Sequence, residues 1–108
     1  MTSEDNEKQL EQLSLIEQNV TSLLSQRQNY AQQLNEVDSA LKHLKNKKSA
    51  YKIVGNIMID TTSAELQTEL NKKKELLELR IKNLQKQEES LKQKAKELQE
   101  KVLKHMKK

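Results

Sequence analysis

Few side chains in this sequence could do acid-base, covalent or metal chemistry, and their spacing keeps them apart. His43 and His105 are the only imidazoles, and there is no cysteine. Disulfides, thiolate catalysis and cysteine-ligated metals are therefore excluded. If the chain folds back on itself near its middle, the two histidines lie about 55 Å apart at ~1.5 Å per residue. Carboxylates are plentiful, but a chain folded back as a two-helix arm has no pocket in which to pair them. The expectation is no catalytic residue, no metal and no cofactor. What remains is the chemistry of apolar surface and charge.

Those residues must be positioned by something other than a compact globule. Only 33% of the 108 residues are hydrophobic and 33% are charged, with Tyr30 and Tyr51 the only aromatics. Gly55 is the single glycine and proline is absent. A long coiled coil has this composition, because its core is a narrow seam and most positions are solvated. Disordered chains are polar too, but they lack fixed apolar spacing. No apolar run approaches a membrane span, so no membrane is expected. Met1 to Asn6 is acidic and polar rather than basic then apolar, so a cytoplasmic protein is expected.

The apolar residues do recur at fixed intervals. With a positions at Leu13, Val20, Arg27, Leu34, Leu41 and Lys48, the d positions are Ile16, Leu23, Tyr30, Val37, Leu44 and Tyr51. Ten of these twelve are apolar, a coiled-coil pattern. The second half has leucine every seventh residue, at Leu70, Leu77, Leu84, Leu91 and Leu98. Thr62 with Glu65 forms a capping box that starts the second helix near Ser63. Lys42, His43, Lys45, Lys47 and Lys48 crowd the end of the first, where the helix dipole favours cations. The spacing predicts helices over 7–48 and 63–106 within a single domain covering 1–108.

Between them, residues 50–61 are of another kind. Tyr51 to Val54 and Ile57 to Asp60 are β-branched, apolar runs separated by Gly55-Asn56, which suits a type II′ turn. In that hairpin Val54 opposes Ile57 and Ile53 opposes Met58, so apolar residues lie on both faces. A two-stranded hairpin is marginal in water, and one with two apolar faces must be covered. The chain has nothing left to cover it, which implies oligomerisation through Tyr51, Ile53, Val54, Gly55, Asn56, Ile57, Met58 and Ile59.

The hairpin returns the chain, so the helices should pair antiparallel. If Leu41 faces Leu70, paired numbers sum to 111, every a falls opposite a d, and Ile16 meets Ala95. This register places Arg27 one turn from Glu88 and Lys74 near Glu36 and Asp38. It also lays the basic C-terminus beside the acidic N-terminus. Polar insertions of this kind lower stability but can fix register.

A helix, the hairpin Tyr51-Lys-Ile-Val-Gly-Asn-Ile57, and a returning helix with the run Lys74-Glu-Leu-Leu-Glu-Leu-Arg-Ile-Lys-Asn-Leu-Gln-Lys-Gln-Glu88 resemble the beta-type prefoldin subunits. The resemblance covers nearly the whole chain, and a single hairpin points to the beta type rather than the alpha type. It implies a mainly α fold, a long antiparallel two-helix coiled coil joined by one short β-hairpin that assembles into an intersubunit β-barrel. It also implies a hetero-hexameric molecular chaperone of two alpha-type and four beta-type chains. Such an assembly holds unfolded client proteins at its coiled-coil tips without nucleotide and passes them to a cytosolic group II chaperonin.

On that resemblance, client contact falls to apolar residues near the free tips: Leu10, Leu13, Leu15, Ile16, Leu98, Val102, Leu103 and Met106. Isolated surface leucines are ordinary in themselves, but Leu and Met also supply the adaptable contact that holding non-native chains requires. Lys101, Lys104, Lys107 and Lys108 would meet an acidic chaperonin surface, or simply neutralise the acidic N-terminus. Leu76 and Leu79, off the seam and nearer the hairpin, would pack on a neighbouring subunit or stand as ordinary surface residues. An architectural coiled-coil spacer without clients is the alternative, although spacers lack a doubly apolar hairpin. Nucleic-acid binding, suggested only by a pI of about 9.2, is not expected, because the charge alternates and aromatics are nearly absent.

Overall fold

The computed structural model describes residues 3–106. Helix α1 spans Ser3–Leu44, strand β1 Ser49–Val54, strand β2 Ile57–Thr62 and helix α2 Ser63–Met106. The second helix starts where the capping box places it: the Glu65 amide donates to Thr62 Oγ1 at 3.1 Å. The box is not fully reciprocal, since the Glu65 carboxylate accepts from the Thr61 hydroxyl at 3.2 Å instead.

The first helix departs from expectation at both ends. It begins at Ser3, with Glu4 and Asp5 in a first turn that favours acids. It stops at Leu44 rather than residue 48, because Asn46 adopts a left-handed conformation with φ 66°. Asparagine tolerates that region and commonly ends a helix there. The Lys47 amide donates to the Leu44 carbonyl at 3.2 Å and closes the turn. Lys48 and Tyr51, assigned above to the helical seam, therefore lie outside it, and only Lys42 and His43 occupy the last helical turn.

The two strands pair antiparallel with Ile53 opposite Met58 and Val54 opposite Ile57. Gly55 carries φ 61° and Asn56 has no positive φ, the pattern of a type II′ turn. A side chain at Gly55 would meet open space. Glycine is needed there for its backbone conformation, not for room.

Ser63 ties the hairpin to both helices. It is 2% exposed, and its hydroxyl donates to the Leu44 carbonyl at 2.8 Å, capping the end of α1 from the start of α2. Its amide donates to the Lys48 carbonyl at 3.1 Å, and Gln67 Nε2 donates to Ser63 Oγ at 3.0 Å. Ser63→Ala removes the donor to Leu44 and the acceptor for Gln67 while leaving the volume nearly unchanged. Urea unfolding of this variant is expected to show a loss of about 1–2 kcal/mol.

The chain packs as two compact units. The hairpin unit comprises Asn29–Ile81, and the chain-end unit comprises the described residues up to Gln28 with those from Lys82 onward. Within the hairpin unit Val37, Leu44 and Leu77 are buried. There Gln67 reaches the Leu44 carbonyl at 3.4 Å, Lys74 Nζ lies 2.8 Å from Asp38 Oδ1, and the Arg80 guanidinium sits 5.6 Å from the Tyr30 ring centre. Each contact joins a later residue of α1 to an earlier one of α2, so the helices run antiparallel. Asp38, by hydrogen bond and then by charge, holds the Lys74 ammonium above its ordinary range. A raised lysine stabilises the fold at neutral pH and loses that effect only in strongly alkaline solution.

Within the chain-end unit Leu84, Glu88 and Val102 are buried. Arg27 Nε donates to Glu88 Oε2 at 2.7 Å, and Nη2 makes a longer contact of 3.4 Å to Oε1. Both polar seam pairs expected from the heptads, Arg27 with Glu88 and Lys74 with Asp38, are therefore formed.

Candidate interaction surfaces

Strand alternation sorts the hairpin side chains onto two faces. Tyr51, Ile53 and Met58 share one; Val54, Ile57 and Ile59 share the other with Ala50, Lys52 and Thr61. The first face is open along its length, with Ile53 at 70% and Met58 at 65% exposure. The second is half-covered only at its base, where Ala50, Lys52 and Thr61 lie and Lys52 Nζ pairs with Glu69 at 3.1 Å. Val54, Ile57 and Ile59 beyond that base are exposed. Six large apolar side chains therefore stand in solvent on twelve strand residues. Contiguous apolar patches of that kind mark interaction sites.

Among the described residues the sheet has two strands in the order β1-β2, so the outer backbone edges of both strands have no further strand beside them. Unpaired edges present rows of amide donors and carbonyl acceptors that another strand can satisfy. Apolar faces and free edges together make this segment competent to join a larger sheet.

The chain-end unit presents a weaker, scattered apolar surface. Leu10, Leu15 and Leu103 are exposed, at 49%, 57% and 57%. Leu13, Ile16 and Leu98 are half-buried seam residues, and Val102 is 6% exposed and belongs to the core of this unit. Lys101 and Lys104 are exposed. Lys107, Lys108 and the side chain of Met106 lie outside the described residues. In the hairpin unit Leu76 and Leu79 are both exposed.

One feature of the chain-end unit lies outside the leucine heptads. The seam layer built on Ile16 and Ala95 is flanked by grooves, one lined by Ile16, Val20 and Ala95 and one by Ile16, Leu91 and Leu98. The signal in the sequence is Ala95 itself, a small residue at a seam position. Among the described residues, no group of three or more His, Asp or Glu side chains could hold a metal ion, and no helix is long and apolar enough to cross a membrane.

Comparison with known proteins is consistent with this geometry. A family model described as "Prefoldin subunit" matches residues 7–108. The prefoldin subunit beta of Caldivirga maquilingensis is 38% identical over 97 residues, covering 86% of this chain and 79% of that protein. That of Archaeoglobus fulgidus is 35% identical over 94 residues, covering 84% and 81%. The crystal structure of the prefoldin beta subunit from Thermococcus strain KS-1 superposes with a TM-score of 0.87 at 30% identity, covering 94% of this chain and 91% of that one.

Proposed function

The chain belongs to the prefoldin subunit family, and on that premise we propose that it is a beta-type subunit of a hetero-hexameric chaperone. Two alpha-type and four beta-type chains would assemble in the cytoplasm, hold unfolded or nascent proteins without ATP, and deliver them to a group II chaperonin. The observation that carries this reading is the hairpin, whose six exposed apolar side chains the chain itself does not cover. A client-free spacer has no use for such a surface.

In this reading the parts divide the work. Tyr51, Ile53, Val54, Ile57, Met58 and Ile59 enter a β-barrel shared with neighbouring subunits, with Gly55 and Asn56 closing the turn. Leu76 and Leu79 pack on a neighbour. Leu10, Leu13, Leu15, Ile16, Leu98, Leu103 and Met106 line the arm tips, with Val102 supporting them from the seam. Lys101, Lys104, Lys107 and Lys108 face an acidic chaperonin surface. No covalent step is involved. Each apolar contact is weak, and several arms acting on one client raise the effective affinity without any tight site.

The test is a truncated subunit. Removing residues 1–16 and 98–108 leaves the hairpin unit and the Arg27–Glu88 pair in place. Co-purified with an alpha-type partner, the truncated chain is expected to keep its hexameric mass and to lose suppression of client aggregation, read by light scattering. Full suppression by tipless hexamers would exclude these residues as the client surface.

A further inference from the structure

We propose that the seam layer around Ala95 is an anchoring subsite for one aliphatic side chain of an extended non-native segment, with a preference for segments carrying acidic residues beside it. This inference rests on the chaperone reading above and names the subsite and the client chemistry.

On α2 the other apolar seam positions carry Leu, Ile or Val, whereas Ala95 is short and sits opposite Ile16. A small side chain at such a position removes contacts that a longer one would make and leaves its neighbours under-packed. The layer is accordingly open on both flanks, with grooves of about 370 and 360 Å³ that share Ile16. These are at the small end of ligand-sized clefts, suited to a side chain rather than a folded element. Their floors are apolar and only half-buried.

The rims choose the occupant. Lys92 and Lys96 with Glu17 border one groove, and Lys94 and Lys101 with Glu97 border the other. Four lysines thus stand against two glutamates, and Glu97 already accepts a hydrogen bond from Gln93 at 3.5 Å. A net positive rim around an apolar floor attracts a segment whose aliphatic residue is flanked by carboxylates. It repels a second copy of the same rim, which argues against self-association here.

The probe is a pair of fluorescein-labelled, otherwise Gly/Ser peptides with one leucine flanked by aspartates or by lysines. Binding to the full-length chain assembled with its alpha-type partner is followed by anisotropy. The aspartate peptide is expected to bind about fivefold tighter than the lysine peptide, the scale of a few exposed charge contacts. Ala95→Leu fills the layer and is expected to weaken the aspartate peptide about tenfold, with helicity and hexameric mass unchanged. Lys92→Glu with Lys94→Glu, both on the surface and harmless to packing, is expected to abolish or invert the preference. Equal binding of the two peptides, or an unchanged ranking in the lysine variant, overturns the inference. If the assembly still suppresses client aggregation in that case, the chaperone reading stands. If it neither binds peptides nor holds clients, the chaperone reading falls with it.

Discussion

Replacing Ile53 and Ile57 together with aspartate is expected to dissociate the assembly while leaving each chain folded. The two residues lie on opposite faces of the hairpin, so the pair of substitutions places a charge on both. In the isolated chain they are 70% and 65% exposed, and exposed aspartates there cost little. In a shared barrel each would be an uncompensated buried charge. The combined penalty is about 5 kcal/mol or more, which weakens association by about three to four orders of magnitude. Sedimentation should report single chains with native helicity. An assembly held instead through the helical seam would keep its mass, and the hairpin would lose its assigned role.

The second large effect concerns the Arg27–Glu88 pair. Glu88 is 4% exposed, so Arg27→Ala leaves a buried carboxylate without the partner it has in the native chain. The Arg27 side chain is itself 31% exposed, so solvent screens part of the pair. The expected loss is about 2–3 kcal/mol of unfolding free energy, below the full penalty for a sealed pair. Arg27→Met combined with Glu88→Leu should recover most of it, because an apolar pair leaves no unpaired charge. A double-mutant cycle by urea unfolding separates the interaction from the cost of stranding one partner. If Arg27→Ala alone is neutral, the pair does not anchor the chain-end unit.

The heptads make most of the fold legible in the sequence. Leu41 facing Leu70 implied where Arg27 and Lys74 would find their partners, and both pairs form. The hairpin register followed from Gly55-Asn56, because only a two-residue turn lets the two apolar runs pair end to end. The end of α1 was not legible in the same way. Lysines over 42–48 resemble a cationic last turn, but Asn46 ends the helix by a backbone conformation that the hydrophobic period does not register. The hydroxyl of Ser63 was hidden for a similar reason. Its partner, the Leu44 carbonyl, lies nineteen residues away and is a backbone atom, so side-chain patterns carry no trace of it. The hairpin surface was legible as apolarity without cover, and the open layer at Ala95 only as a small residue in a seam.

The most direct measurement of the central claim is the solution mass of this chain with and without a co-expressed alpha-type subunit, by light scattering coupled to size exclusion. The proposed hexamer predicts a complex with the mass of two alpha-type and four beta-type chains, formed with the partner and absent without it. A mass that ignores the partner, remaining that of one or two copies of this chain, would contradict the account.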